Sequence, residues 1–174
     1  RDDSLFRVDS TSALRNWKPV KKSAISSKVE YQSTDSISLD LARQKVYLYR
    51  DAEIKYEKII QKAAYIEIDF NSSILSAKPL QDSTGKEFGK PEFTEGDQSF
   101  RSEKMEYNFK TRKGLIKNVI TQEGEGYLHG EVVKKMDNDV SNMLHGGYTT
   151  CNLDHPHFSI QFTKAKVIPE NKIV

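Results

Sequence analysis

The chain has 174 residues, and its 27 lysines and arginines nearly balance its 25 aspartates and glutamates, for a formal net charge of +2. A chain of this length can bury a core of its own as one domain without disulfide staples. So balanced a charge does not indicate nucleic acid or a membrane surface as a partner, and we expect no nucleic acid. No apolar run reaches the ~20 residues that a membrane-spanning helix requires.

Hydrophobic patterning divides the chain into two regions. Residues 1–28 mix serine, lysine and aspartate without a regular period, which is typical of a leader or linker. Over 29–174, short runs of alternating apolar and polar residues are separated by turn sequences such as DSTGK and TRKG. We therefore predict a linker at 1–28 and a single all-β domain at 29–174.

The first regularity in this domain is a strand–turn unit that recurs as SISLDL, YIEIDF and KMEYNF. Each unit has Asp40, Asp69 or Asn108 in its next-to-last position, followed by an apolar residue and a polar turn. An aspartate or asparagine where a strand enters a turn can hydrogen-bond the turning backbone, so we interpret these side chains as structural rather than catalytic. Recurrence of the unit predicts stacked units that share one apolar interior.

Three runs alternate between apolar and polar residues, and this alternation predicts which side chains face that interior. The runs are KAAYIEIDF, EKMEYNF and HFSIQF. Strict alternation of apolar and polar residues indicates strands with one buried face. The nine apolar positions expected on these faces are Ile66, Ile68, Phe70, Met105, Tyr107, Phe109, Phe158, Ile160 and Phe162. Between two facing sheets, such side chains form either a filled core or an apolar trough for a lipid, and periodicity does not separate the two.

Two glycine-containing segments, GEGYLHG and DSTGK, have the composition of nucleotide-binding loops but not their spacing. A dinucleotide loop requires its third glycine one position earlier, and a phosphate loop requires a glycine five residues before the Gly-Lys pair. We interpret DSTGK as a hairpin turn. The residues that flank GEGYLHG are strand-like, whereas a dinucleotide loop is followed by a helix, so we predict no cofactor.

Four lysines, Lys134, Lys135, Lys164 and Lys166, accompany the last runs of the chain. Their side chains either contact anionic groups of a ligand or stand in solvent. Because lysine is rarely buried, we interpret them as a solvated face.

The only cysteine, Cys151, is followed closely by Asp154, His155 and His157. Histidines at i and i+2 of a strand project from one face, so these residues suggest a zinc site or a thiol with an imidazole base. Structural zinc sites usually draw on two separated ligand pairs, and a catalytic base normally comes from elsewhere in the fold. We expect no metal and no enzymatic activity, with a thiol- or zinc-dependent hydrolase as the alternative.

Taken together, YIEIDF, YNFKTRKGLIKNVITQEGEGYLHGE and GYTTCNLDHPHF resemble the N-terminal periplasmic domain of the LptD family of lipopolysaccharide-assembly outer-membrane proteins. The resemblance covers 29–174, and its strand–turn repeat matches the OstA-like unit shared with the bridge protein LptA. It implies an open, V-shaped β-jellyroll of two facing antiparallel sheets. Its apolar groove, formed by the nine positions above, would shield lipopolysaccharide acyl chains and pass them to a β-barrel later in the chain.

The same resemblance implies a place on the periplasmic side of the outer membrane of a Gram-negative bacterium. The implied partners are lipopolysaccharide, an LptA-like bridge protein joined by edge-strand addition, and the barrel with its plug lipoprotein LptE. Cys151 would form a disulfide with a cysteine of that barrel. A stand-alone bridge protein of the LptA type is the alternative within the binding class, and no role is implied for His155 or His157.

Overall fold

The computed structural model describes residues 28–96, 98–137, 140–168 and 172–173. The regular structure within these residues is entirely β-strand, so the all-β prediction is confirmed. The described part of the chain contains no helix long and apolar enough to cross a membrane. The predicted linker, apart from Lys28, lies outside the described residues.

The strands follow one another in chain order as β1 (Val29–Gln32), β2 (Ser36–Asp40), β3 (Lys45–Tyr56), β4 (Ile59–Asp69), β5 (Ile74–Lys78), β6 (Leu80–Gln81), β7 (Glu87–Phe88), β8 (Glu92–Glu95), β9 (Gln98–Arg101), β10 (Lys104–Asn108), β11 (Lys113–Glu123), β12 (Gly126–Lys135), β13 (Ser141–Thr149), β14 (Ile160–Ile168) and β15 (Lys172–Ile173). DSTGK joins β6 to β7, and its Gly85 has a φ of +83°. GEGYLHG forms the turn and first residues of the β11–β12 hairpin. The predicted hairpin turn at DSTGK is confirmed, and GEGYLHG is flanked by strands, as its sequence indicated.

Six strands close into a barrel. The hydrogen-bonded ring runs β4–β5–β10–β11–β9–β8 and returns to β4, with every pair antiparallel. Strands β1, β2 and β3 are added outside β4, and β12 to β15 are added outside β11. We call the side of the barrel that contains β5 and β10 the first wall, and the side that contains β8 and β9 the second wall.

The long strands belong to both walls. The Tyr65–Asp69 half of β4 pairs with β5, whereas its Ile59–Lys62 half pairs with β8. Strand β11 divides in the same way between β10 and β9. Where β11 passes from the first wall to the second, Ile116 and Val119 are three residues apart and both buried. Asn118, between them, has a φ of 51°. Such a local irregularity bends a strand and re-aims its side chains, which keeps the apolar side inward in both walls.

The recurring strand–turn unit forms three hairpins, β2–β3, β4–β5 and β10–β11, which lie side by side in the first wall. In each turn, the Oδ1 atom of Asp40, Asp69 or Asn108 accepts backbone N–H hydrogen bonds of 2.9–3.1 Å. The donors are Arg43 in the first turn, Asn71 and Ser72 in the second, and Lys110 and Thr111 in the third. The structural interpretation of these three side chains is confirmed.

The interior of the barrel is a packed core. Phe93 of β8 is 1% exposed, and its ring centroid lies 5.0 Å from that of Phe100 and 5.6 Å from that of Tyr107. Because Tyr107 belongs to β10 in the opposite wall, this aromatic group joins the two walls. Burying aromatic side chains of this size contributes strongly to stability, so the barrel is the rigid centre of the domain.

Candidate functional site

The nine apolar positions predicted from the alternation separate into three groups. Four lie in the packed core and are at most 3% exposed: Ile66, Ile68, Met105 and Tyr107. Three are half-buried against that core: Phe70, Phe109 and Phe162. Phe70 and Phe109 follow Asp69 and Asn108 in neighbouring turns, and their rings meet edge to face with centroids 6.5 Å apart.

The other two positions, Phe158 and Ile160, are 61% and 74% exposed and lie outside the packed core. Phe158 lies in the loop between β13 and β14, outside the predicted strand. Ile160 pairs with Tyr148, which packs against the core, so its side chain lies on the inner side of the sheet. It remains exposed because β14 is the outermost strand of the second wall among the described residues.

The inner apolar face also continues past the packed core onto the edge strand β2. Ile37 pairs with Leu48 and Leu39 pairs with Val46, and both partners are at most 1% exposed. Because directly opposite residues share a face, Ile37 and Leu39 lie on the inner side of the first wall. They are nevertheless 47% and 60% exposed.

Strand β1 shows the same feature on the second wall. Tyr31 pairs with the buried Ile54 and so shares its inner face, yet Tyr31 is 45% exposed. Val29 of β1 is half-buried against the core, and Leu41, in the turn after β2, is 78% exposed. We call this set the edge mouth: Val29, Tyr31, Ile37, Leu39 and Leu41. Large exposed apolar side chains that continue a buried face are typical of a binding surface.

Sequence reasoning missed the edge mouth, although its signal was present. SISLDL alternates as clearly as YIEIDF, so its apolar positions Ile37 and Leu39 carry the same pattern. Alternation identifies the inward side of a strand, but it does not reveal that β2 and β1 are edge strands. That information comes from the pairing of strands distant in sequence.

A cleft of about 1080 Å³ lies on the outer face of the second wall. Its floor follows a row of paired residues across the sheet, in which Glu53, Lys62, Glu92 and Arg101 alternate in charge. Lys62 Nζ lies 3.2 Å from a carboxylate oxygen of Glu53. Because charged side chains of both signs form its floor, this cleft suits a polar ligand better than an acyl chain.

His129 continues the same row, opposite Ile120 of β11. Burial lowers the pKa of His129, while the charges of Asp154 and His155 act on it in opposite directions. Its Nε2 atom is buried and has no hydrogen-bond partner among the described residues. The geometry brings Asp154 and His155 to this cleft, away from Cys151.

Cys151 is half-buried in the loop between β13 and β14. Its Sγ atom lies 3.8 Å from His157 Nδ1, and its N–H group donates to Thr149 Oγ1 at 3.0 Å. Because His155 and His157 lie in this loop, the assumption that both project from one strand face is wrong. His157 makes no further hydrogen bond within the described ranges, so the pair has no third group to orient the imidazole.

The same loop contains the side chains that suggested a zinc site. Among the residues that the structure describes, no group of three or more His, Cys, Asp or Glu side chains is placed to hold a metal ion. The described loop therefore does not assemble the three ligands that Cys151, Asp154 and the histidines suggest on paper.

No protein-family model and no curated protein matches this chain. A function can therefore be assigned only from the chemistry of its surfaces. The edge mouth joins exposed aliphatic and aromatic side chains directly to the core, and this makes it the strongest candidate site.

Proposed function

We propose that this domain shields the acyl chains of lipopolysaccharide between the inner faces of its two walls. The observation that carries the proposal is the continuation of the inner apolar face onto the edge mouth, where Tyr31, Ile37 and Leu39 are about half exposed. Each CH₂ group removed from water contributes about 0.8 kcal/mol, so an acyl chain is stabilised wherever it covers this strip.

In this proposal the two walls are the facing sheets of an OstA-like β-jellyroll, which opens as a V at the edge mouth. An acyl chain that enters there passes along Leu41, Phe70 and Phe109, which occupy equivalent positions in the three stacked turns. The buried groove positions, such as Ile68 and Tyr107, contact the chain only when the walls separate further. The packing of Phe93 against Tyr107 sets the cost of that separation.

The domain then passes the lipid to a β-barrel that follows in the same chain, on the periplasmic side of the outer membrane. This transfer requires binding and no covalent chemistry, in agreement with a non-enzymatic role. Strands β1 and β2 each pair only with β3 among the described strands, which leaves an edge of each free. A bridge protein of the LptA type adds its strand at such an edge, and the barrel with its plug lipoprotein LptE receives the lipid.

We also propose that Cys151 forms a disulfide with a cysteine of that barrel. The chain has no second cysteine, so the partner must lie outside these 174 residues. Peptide mapping of the full-length protein under non-reducing conditions should recover Cys151 joined to a barrel peptide. Recovery of Cys151 as a free thiol would remove this link.

Photo-crosslinking tests the lipid site itself. A photoreactive amino acid at Leu39 should capture purified lipopolysaccharide, whereas the same group at Ser38 should not. The two positions are adjacent and exposed on β2 but point to opposite faces, so they differ only in access to the edge mouth. Equal capture from both positions, or capture from neither, would contradict the proposal.

The hydrolase alternative rests on the contact between Cys151 and His157. It predicts a thiol that reacts with iodoacetamide well below the pH at which a free cysteine does, because an imidazolium stabilises the thiolate. A reactivity profile matching that of free cysteine would exclude it. A bound zinc in the purified protein would instead revive the metal-dependent form.

A further inference from the structure

Lysine and aliphatic side chains cover the outer face of β11 to β14 in the first wall. One row of cross-strand partners runs Leu115, Lys134, Asn142 and Lys166, and the next runs Lys117, Val132, Leu144 and Lys164. The two rows are two residues apart on every strand, so they share one face. That face is opposite the buried Ile116, Val133 and Met143. We call these two rows the basic patch.

The positive charges of the basic patch are not compensated. Its four lysines are exposed, and none forms an ion pair within the described residues. The neighbouring acid is Glu106 on β10, which pairs with Leu115. Its carboxylate oxygen lies 3.0 Å from Lys104 Nζ, so its ion pair is with Lys104 and not with a lysine of the patch. Four positive charges on one face of a chain whose net charge is +2 make the distribution strongly one-sided.

Apolar groups lie between these charges. Leu115 is 45% exposed and Leu144 is 37% exposed, and a shallow depression of about 480 Å³ runs between them. Lys135, which we predicted to share the solvated face, instead points inward and lies 3.0 Å from Glu95 with a 6% exposed side chain. The patch is therefore a mixed surface in which aliphatic side chains are surrounded by lysines.

This composition favours a lipid surface over a protein as the binding partner of the basic patch. Protein–protein interfaces are enriched in Tyr, Trp and Arg and depleted in Lys, and the basic patch contains none of the first three. At a bilayer, lysine stems lie along apolar surface while their ammonium groups reach the phosphates, and leucine and valine enter the headgroup boundary. We propose that the basic patch docks this domain on an anionic lipid bilayer. This surface faces away from the edge mouth side of the sheet, so the two sites act independently.

The test is co-sedimentation of the chain with vesicles of phosphatidylcholine mixed with phosphatidylglycerol, and with vesicles of phosphatidylcholine alone. Each lysine near an anionic surface contributes about fivefold to partitioning, so the double variant Lys134→Gln/Lys164→Gln should bind the mixed vesicles about 25-fold more weakly. The control Lys58→Gln/Lys86→Gln, which changes the net charge equally at exposed turns outside the basic patch, should bind as the unmodified chain does.

Two further measurements separate the apolar contribution from the charge contribution, and the basic patch from the edge mouth. Leu144→Ser keeps all four charges and should weaken binding to the mixed vesicles, because it removes the apolar contact. Crosslinking of lipopolysaccharide from Leu39 should be unchanged in the double lysine variant, so failure here is distinguishable from failure of the proposed lipid carrier. Circular dichroism confirms that the variants fold.

Three results would overturn the proposal. They are equal binding to both kinds of vesicle, equal binding of the double variant and its control, and binding of the chain to polyglutamate but not to mixed vesicles. The last result would assign the patch to an acidic protein partner.

Discussion

The carboxylate of Asp69 shows how a single residue holds a turn between two strands. Its Oδ1 atom accepts hydrogen bonds from the N–H groups of Asn71 and Ser72, and its Oδ2 atom lies 3.4 Å from Lys45 Nζ. The Ser72 N–H group, followed by the Asn71 N–H group and Lys45, holds the pKa of Asp69 below its ordinary value. Asn108 performs the same task with an uncharged amide.

This equivalence predicts a ranking of two variants. Asp69→Ala should lower the melting temperature more than Asp69→Asn, because only asparagine keeps an oxygen that accepts the turn N–H groups. Thermal unfolding followed by circular dichroism measures both. Equal melting temperatures for the two variants would show that the hydrogen bonds of this side chain do not stabilise the turn.

The pH dependence follows from the lowered pKa of Asp69. A carboxyl group whose pKa is lower in the folded than in the unfolded state stabilises the protein above the unfolded value, and this contribution is lost as the pH falls through the folded value. The difference in free energy of unfolding between the unmodified chain and Asp69→Asn should therefore stay constant from pH 7 to about pH 4, the ordinary range of an aspartate, and shrink as the pH falls below it. The control is Asn108→Ala, whose effect should not change with pH because an amide does not titrate.

At the scale of strands, the barrel depends on contacts between its two walls. Phe93 makes the central contact, so Phe93→Ala should reduce the free energy of unfolding by about 3–5 kcal/mol. Phe158→Ala removes the same ring from an exposed loop position and should change it by less than about 0.5 kcal/mol. Urea unfolding measures both, and similar losses would contradict the assignment of a packed centre.

Strand pairing also depends on close backbone approach at Gly146. A Cβ atom added there would lie 2.2 Å from the carbonyl oxygen of His129 and 2.6 Å from the ring of Phe162. Gly146→Ala should therefore destabilise the domain by about 1–3 kcal/mol through overpacking. Gly147→Ala is the matched control, because its added carbon first meets the Ser159 side chain at 3.2 Å and should cost less. An equal loss for both glycines would show that the approach to His129 is not limiting.

At the scale of the whole molecule, a closed ring of strands is extended by strands that have one free edge. The ring contains Ile66 and Tyr107, whereas the edge strands β1 and β2 carry the exposed mouth. Amides in β4, β5, β10 and β11 should therefore exchange with deuterium most slowly, and amides in β1 and β2 faster. Mass spectrometry of peptides resolves the two groups.

The same measurement also tests the proposed lipid binding. If the proposal is correct, saturating lipopolysaccharide should slow exchange in β1 and β2, because a bound acyl chain would cover the edge mouth. The β6–β7 hairpin, which is separate from the main sheet, should not change. Protection of the hairpin without protection of the edge strands would place the lipid elsewhere.

The sequence by itself determined what depends on near neighbours in the chain. Alternation in KAAYIEIDF and KMEYNF indicated strands and their inward sides, and Asp40, Asp69 and Asn108 indicated the turns that end them. These properties are local, because a period of two and a capping side chain act within a few residues. The described strands and turns agree with them.

Only the tertiary structure decided how each inward side is covered. Ile68 and Ile160 have the same alternation, yet one is 3% exposed and the other 74%. Ile68 lies inside the barrel, whereas Ile160 lies at the end of β14 that pairs only with β13 among the described strands. The closure of the ring through β8 and β9, the bend at Asn118 and the edge position of β2 all depend on pairing between distant segments. No local period encodes that pairing, so burial and the position of the mouth follow from the folded sheet alone.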